Sequence, residues 1–321
     1  MKDDWGPAGA GKGGMEFSMS IDQDIPGEGN LETAVEVFDQ SRKRLFGIAY
    51  RILGSAAEAE DIVQETWLRW QQTDRSAVRN PAAFLTTVAT RLAINVAESA
   101  RSRRETYVGP WLPEPVDTEA DPTLGAERAE ALESVTLLLL ERLRPDQRAA
   151  YVLREAFGYT YDEIAAILEI SSVNARQVVS RAKRGVLSER RDPVDPAKHR
   201  ELLSAFVAAA QKGDLAQLER VLAADVVSLS DGAGIVGNAA RRPVVGRTPV
   251  AKFVRAFSSW WWDGATTSWM ETNGRPSLLV RRNGEPVALL SIAASAAGIE
   301  QLMWVMVPEK LVRLRGDEPG Q

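Results

Sequence analysis

The sequence predicts a multidomain chain: two all-α domains, the second built around a helix-turn-helix, followed by an α+β domain. Three observations predict it. Apolar residues recur at three- and four-residue steps from Leu31 to Arg104, with no strand alternation to interrupt them. Segments rich in proline, glycine and acid, at 105–126 and 191–196, cut the chain into units. Short strand-like runs, two of the turns between them Asn-Gly, are confined to the last third. A length of 321 residues, 45% hydrophobic and 26% charged, suits two or three such units.

Residues 1–30 hold seven glycines and few core formers, so a disordered tail is expected. Gly6 to Lys12 matches a phosphate loop up to its lysine, but Gly13 stands where a magnesium-holding Ser or Thr belongs and no strand precedes it. No nucleotide site is expected there.

The first helical domain spans 31–104. Phe38, Leu45, Ile48, Ala49 and Ile52 mark one helix, which Gly54-Ser55 ends. A second helix, 56–71, buries Ile62, Val63, Trp67 and Trp70. Asn80-Pro81 opens a third, with Phe84, Leu85, Val88, Leu92 and Val96 on its apolar face and Arg101, Arg103 and Arg104 at its end. An acidic linker covers 105–126. The second domain, 127–190, has helices at about 126–143 and 145–157 before the helix-turn-helix. The linker 191–196 is stiffened by Pro193 and Pro196. The third domain, 197–316, reads as two helices, a strand at 226–230, a helix at 247–259 and four strands, at 268–272, 277–281, 287–294 and 301–307.

Composition excludes several classes. With no cysteine there is no disulfide scaffold, thiolate metal site or cysteine nucleophile, and a reducing, cytoplasmic setting fits. His199 is the sole histidine, so a poly-histidine zinc site is excluded and any Ser-His-Asp triad would have to use it. It sits at a helix start beside a linker, which favours a surface or helix-end role. No metal or cofactor is expected. The longest apolar stretches, Val135–Leu140 and about 287–297, fall short of the ~20 residues that cross a bilayer. Lys2 is followed by Asp3 and Asp4 rather than by an apolar run, so no secretory signal is read.

The net charge of −5 hides an uneven layout. Residues 31–104 carry +2 and 141–191 carry +3, while 105–140 between them carry −7. The second basic block contains the helix-turn-helix, Tyr161–Arg181. Ile164 and Leu168 face inward, Ala165 is small where the helices cross, Ile170 plugs the turn, and Ala175 and Val178 face inward from the second helix. Glu169 stands where this turn favours glycine. The second helix presents Asn174, Arg176, Gln177, Ser180, Arg181, Lys183 and Arg184, with no acid from Ser171 to Ser188. Such side chains read base edges and hold phosphates.

In 59–69, Asp61, Gln64, Glu65 and Leu68 share one helical stripe. This stretch resembles the core-binding helix of extracytoplasmic-function (ECF) sigma factors, the promoter-recognition subunits of bacterial RNA polymerase. Asn80-Pro81, Phe84-Leu85 and Arg91 to Asn95 resemble their −10 segment, and Tyr161–Arg184 their −35 helix-turn-helix. The stretch Tyr107 to Pro115 and the third domain, similar to the SnoaL-like branch of the NTF2-like fold, resemble the SigJ-type group, which carries a fused regulator. The resemblance implies that Asp61, Gln64, Glu65 and Arg69 contact core polymerase, through its β′ clamp and β subunits. It implies that Arg79, Asn80, Thr87, Arg91, Asn95, Arg101, Arg103 and Arg104 meet −10 DNA, and that Asn174, Arg176, Gln177, Ser180, Arg181, Lys183 and Arg184 meet the −35 element. The acidic linker would run through the polymerase's nucleic-acid channel.

Asp231, Gly232 and Gly234 resemble that group's Asp-Gly-Gly-Gly-Lys motif, with Ala233 and Ile235 departing from it. Pro308 and Lys310 resemble its Asn-Pro-Asp-Lys-Leu segment. These five residues are the expected regulatory interface. Trp260, Trp261, Trp262, Trp269 and Trp304 are read chiefly as core, with a cavity for a small apolar ligand as the second reading. The expected function is a non-enzymatic sigma factor whose partners are core RNA polymerase and promoter DNA, with no membrane contact. The alternative is an NTF2-like cyclase or isomerase fused to a DNA-binding module, which would need a carboxylate or tyrosine pair in its cavity. A repressor dimer is disfavoured because no heptad repeat supplies a dimer helix.

Overall fold

The computed structural model describes residues 28–120, 132–189, 192–237 and 239–314. Residues 1–27, with the phosphate-loop-like stretch, lie outside them, as do 121–131, 190–191, 238 and 315–321; residues 28–30, expected in the disordered tail, instead open the first helix.

Helices α1 (Glu28–Leu53), α2 (Ala56–Gln72) and α3 (Pro81–Glu105) form the first unit. Ser55 caps α2 by accepting from the Glu58 amide, and Asn80 caps α3 by accepting from the Ala83 amide. Leu45, Ile48, Ile62, Leu85 and Ala89 are buried between them, and the Trp70 indole N–H donates to the Ala34 carbonyl at 3.1 Å. Helices α4 (Ser134–Leu140), α5 (Pro145–Tyr151), α6 (Tyr161–Leu168) and α7 (Ser172–Glu189) form the second. The helix expected to run to Phe157 widens into a π turn at Val152–Ala156. The two helical units share one core: Val152, Ile164, Ala175 and Val179 belong to the same buried cluster as Leu45 and Ile62. Val179, not Val178, occupies the inward position on α7; Val178 is half-buried.

The third unit is α8 (Pro196–Lys212), α9 (Leu215–Val221), β1 (Leu222–Asp231), β2 (Val244–Val245), α10 (Arg247–Trp261), β3 (Ala265–Thr272), β4 (Arg275–Arg282), β5 (Glu285–Ser295), β6 (Gly298–Val305) and α11 (Pro308–Leu311). The first strand begins at Leu222, four residues before the expected 226. The sheet order is β2-β1-β6-β5-β4-β3; β1 and β6 are parallel and the other neighbours antiparallel. Strand alternation divides the sheet into two faces. Leu278, Val280, Leu290 and Leu302 join Leu203, Phe206 and Val250 under α8 and α10. Leu279, Leu289, Met303 and Val305 face the other way, where Leu112 of the first linker and Leu311 of α11 cover them.

That first linker therefore does not hang in solvent. Thr118 donates its amide to the Glu271 carbonyl at 3.1 Å, and Asp117 forms an antiparallel bridge with Thr272. The β3–β4 turn follows at once, with Asn273 left-handed at φ 54°. Asn273 is buried, unusual for a hairpin tip.

Candidate nucleic-acid and polymerase interface

On α2, burial of Ile62, Val63, Thr66 and Trp70 turns Asp61, Gln64 and Arg69 outward. Glu65 is half-buried and pairs with Arg69 at 2.8 Å. Leu68, 49% exposed, sits among these polar groups. An exposed leucine within a charged stripe is the anatomy of a docking surface, an apolar anchor with a polar rim.

The expected −10 residues divide into two groups. Arg79, Asn80, Arg91, Asn95 and Arg101 are exposed on or just before α3, and Thr87 is half-buried. Asn80 also holds the helix N-terminus, and Thr87 donates to the Ala83 carbonyl at 2.8 Å. Arg91, though exposed, is also held within the molecule by Glu169 and the Ile167 carbonyl, and the other group is engaged there too. Arg103 pairs with Glu58 at 2.6 Å. Arg104 is half-buried: it pairs with Glu141, donates to the Leu53 carbonyl at 2.6 Å and stacks 3.6 Å over Trp111. Glu141 also receives the buried Arg148, whose pKa is lowered chiefly by burial. Arg104 thus ties the end of α3 to α4 and to the linker.

On α7, burial of Ala175, Val179, Ala182 and Val186 sends all seven expected −35 residues outward: Asn174, Arg176, Gln177, Ser180, Arg181, Lys183 and Arg184. Arg176 lies 5.1 Å from the Tyr161 ring, Arg181 donates to Gln177 at 3.3 Å, and Lys183 pairs with Glu155 at 2.9 Å. Helix α6 is fixed by a capping box between Thr160 and Glu163.

In the third unit, the Asp231 carboxylate is fully buried at the end of β1. It accepts from the Tyr107 hydroxyl at 2.5 Å, the Leu112 amide at 2.8 Å and Lys310 at 2.8 Å. Lys310 also donates to the Leu112 carbonyl at 2.5 Å and lies 4.6 Å from the Trp111 ring. Burial lowers the Lys310 pKa while Asp231 pulls it back up; burial and then Asp231 raise that of Tyr107. Pro308 starts α11 and so places Lys310. At Gly232 a Cβ would collide with Val236 and Ala239. Gly234 has φ +73° and lies against Val108. The departures are visible too: Ala233 is left-handed at φ 51° and Ile235 is 69% exposed. All five expected interface residues therefore lie in or beside one contact between the third domain and the linker.

Sequence reasoning missed the second half of that contact. Asn273 donates to the Tyr50 hydroxyl at 2.6 Å and the Leu132 carbonyl at 3.0 Å, and accepts from the Val116 amide at 3.2 Å. Tyr50 donates to the Glu114 carbonyl at 2.7 Å, and burial raises its pKa. The Glu114 carboxylate accepts from the Ala56 amide at 2.9 Å at the start of α2. An Asn-Gly pair signals a turn and nothing more, so only the tertiary structure reveals the role of Asn273.

His199 corrects an expectation. It is buried, 4% exposed, and its Nε2 lies 3.1 Å from the Pro276 carbonyl. Burial, then the charge of Arg275, lowers its pKa to about 4, so it is a neutral donor rather than a surface group. Trp261, Trp262 and Trp304 line a small, partly open apolar cavity with Phe253, Phe257 and Ser230. Trp260 is 45% exposed, and Trp269 lies under Arg200 at 4.6 Å. Among the described residues, no cluster of three metal-ligating side chains occurs, and no helix is long and apolar enough to cross a membrane.

The family model for Sigma-70 region 2 matches residues 37–104, and that for Sigma-70, region 4 matches residues 135–184. The chain is 42% identical over 227 residues to the ECF RNA polymerase sigma factor SigJ of Mycobacterium tuberculosis, covering 68% of this chain and 72% of that one. It is 28% identical over 284 residues to the sigma factor SigI of the same organism, covering 87% and 95%. The crystal structure of Mycobacterium tuberculosis SigJ matches with a TM-score of 0.71 at 32% identity, covering 88% of this chain and 100% of that chain. This chain belongs to the ECF RNA polymerase sigma factors, which direct promoter-specific transcription initiation.

Proposed function

We propose that the third domain, residues 197–316, is a fused regulator that sets the relative placement of the two promoter-reading domains, 31–104 and 127–190, through the linker between them. The observation that carries this reading is the buried Asp231 carboxylate, which receives three donors, two of them from the linker. Removing one partner of such a buried pair costs about 3–5 kcal/mol, so the contact is a substantial restraint. Core polymerase docks on Asp61, Gln64, Glu65 and Arg69, with Leu68 as anchor. Arg79, Asn80, Thr87, Asn95 and Arg101 meet −10 DNA; Arg91, Arg103 and Arg104 join them only after leaving Glu169, Glu58 and Glu141. The exposed face of α7 reads the −35 element. The linker enters the polymerase channel only after it leaves the sheet. As a partner of core polymerase, the chain works in the cytoplasm.

The third domain acts without catalysis. A second pocket, against the second unit, holds Glu133, Glu300 and His199, the last neutral and engaged by the Pro276 carbonyl, whereas the cavity beside Trp261 is lined by Ser230 and aromatic and aliphatic side chains with neither carboxylate, histidine nor tyrosine. This suits a small apolar ligand better than a cyclase reaction. Run-off transcription with core polymerase tests the regulatory reading. Asp231→Asn is expected to raise output at equal protein level, and unchanged or lower output rejects a restraining third domain.

A further inference from the structure

Glu169 stands where the turn favours glycine, and it adopts φ 55°, a left-handed conformation that strains a residue with a Cβ. Its carboxylate pairs with Arg91 of α3 at 3.0 Å. Arg91 also donates through Nε to the Ile167 carbonyl at 2.9 Å and through Nη2 to the Ala166 carbonyl at 3.4 Å. Both carbonyls belong to the last turn of α6, where helix geometry leaves such groups without intrahelical partners and favours a cation. An arginine of the first domain therefore caps the first helix of the helix-turn-helix. Arg91 and Asn95 of α3 and Asn174 of α7 line one groove.

We infer that Arg91 and Glu169 form a latch: while they are paired, the arginine meant for −10 DNA is held by the −35 module, and it is released when the two domains part. This rests on the reading of Arg91 as a −10 contact. The latch differs from the Asp231 contact because it joins the two helical domains directly. The pair is weak, since the side chains are 43% and 76% exposed. That weakness suits a bias on an equilibrium rather than a permanent tie. Tyr159 adds a further direct contact beside the shared core and the Arg104–Glu141 pair, with its hydroxyl 3.2 Å from Arg44 Nε and 3.1 Å from Thr86 Oγ1.

The strain and the pair separate thermodynamically. The left-handed turn belongs to the helix-turn-helix itself, so its strain is present whether the domains are together or apart. The ion pair exists only when they are together. Glu169→Gly should therefore raise the thermal midpoint and also lower the closed fraction, whereas Glu169→Gln should lower only the closed fraction.

The full chain has no cysteine, so Gln72→Cys and Leu187→Cys accept a dye pair for single-molecule energy transfer. Both E169G and E169Q are expected to shift the open-to-closed ratio two- to fivefold, as suits an exposed pair. Raising salt to about 0.5 M, which screens such pairs, should open the parent more than either variant. A closed fraction unchanged in both variants overturns the latch, and so does opening in E169G alone, which would place the effect in the backbone. The transfer signal needs neither polymerase nor promoter. Failure of the −10 assignment is a separate result, read as unchanged promoter melting by Arg91→Ala holoenzyme.

Discussion

The carboxamide of Asn273 meets the hydroxyl of Tyr50 at 2.6 Å, joining a β-turn of the third domain to α1. The same carboxamide accepts from Val116 in the linker and donates to Leu132 just before α4. One side chain thus touches three separate stretches of a sigma factor, all in a buried setting where an unmet donor or acceptor is costly.

Asn273→Ala should therefore destabilise by about 2–4 kcal/mol, because it leaves several buried groups unpartnered. Urea denaturation followed by tryptophan fluorescence reads this. The unfolding transition should also broaden or split as the third domain uncouples. A shift no larger than that of an exposed alanine substitution would contradict the junction.

His199 gives a pH signature that a single substitution isolates, since the chain has no other histidine. Its folded pKa of about 4 lies below the ordinary 6.5, so between those values the unfolded chain binds the proton and the folded one does not. Stability then falls as pH drops from 6.5 towards 4, by about 3 kcal/mol at most. His199→Gln should remove most of that slope above the carboxylate range, as measured by denaturation midpoints at a series of pH values.

Promoter reading is expected to reside on the outward face of α7. Arg176→Ala and Gln177→Ala should each cost about 1–3 kcal/mol of holoenzyme binding if they contact bases, with the loss confined to promoters carrying the matching −35 base. A phosphate contact such as Arg184 should instead weaken all sequences alike and reduce the salt dependence. Holoenzyme gel-shift on −35 variants separates the two patterns.

Leu68→Asp should lower affinity for core polymerase by about tenfold or more by charging an apolar anchor, while leaving folding intact because the side chain is half exposed. Co-elution with core enzyme, checked against an unchanged melting temperature, reads the effect.

Naphthalene, a planar apolar probe, should quench indole fluorescence by entering the cavity beside Trp261 and Trp304. Val254→Trp should abolish that quenching by filling the space. Equal quenching in both proteins would point to the exposed Trp260 instead.

Much of this architecture was legible because local chemistry fixed it. Ser55 and Asn80 cap the helices they precede, the basic face of α7 emerges opposite its alanines, and both Asn-Gly pairs form turns. What escaped depends on partners far along the chain. Tyr50 and Asn273 are 223 residues apart, so neither carries a local sign of the other. Arg104 and His199 looked exposed by sequence position, yet the first is drawn to Glu141 and Trp111 and the second into a tertiary interface. Val179 replaced Val178 in the core because one residue of helix rotation is about 100°, a shift that the crossing angle decides rather than the pattern.

The docked linker also has a consequence for reach. Fully extended, the stretch from Tyr107 to Thr118 would span about 40 Å. Pinned along the sheet by Asp231 and Glu271, it contributes almost no slack between the two readers of the promoter. On the regulatory reading proposed above, the third domain acts by winding in the rope or paying it out, which sets whether one molecule can grasp both ends of a promoter at once.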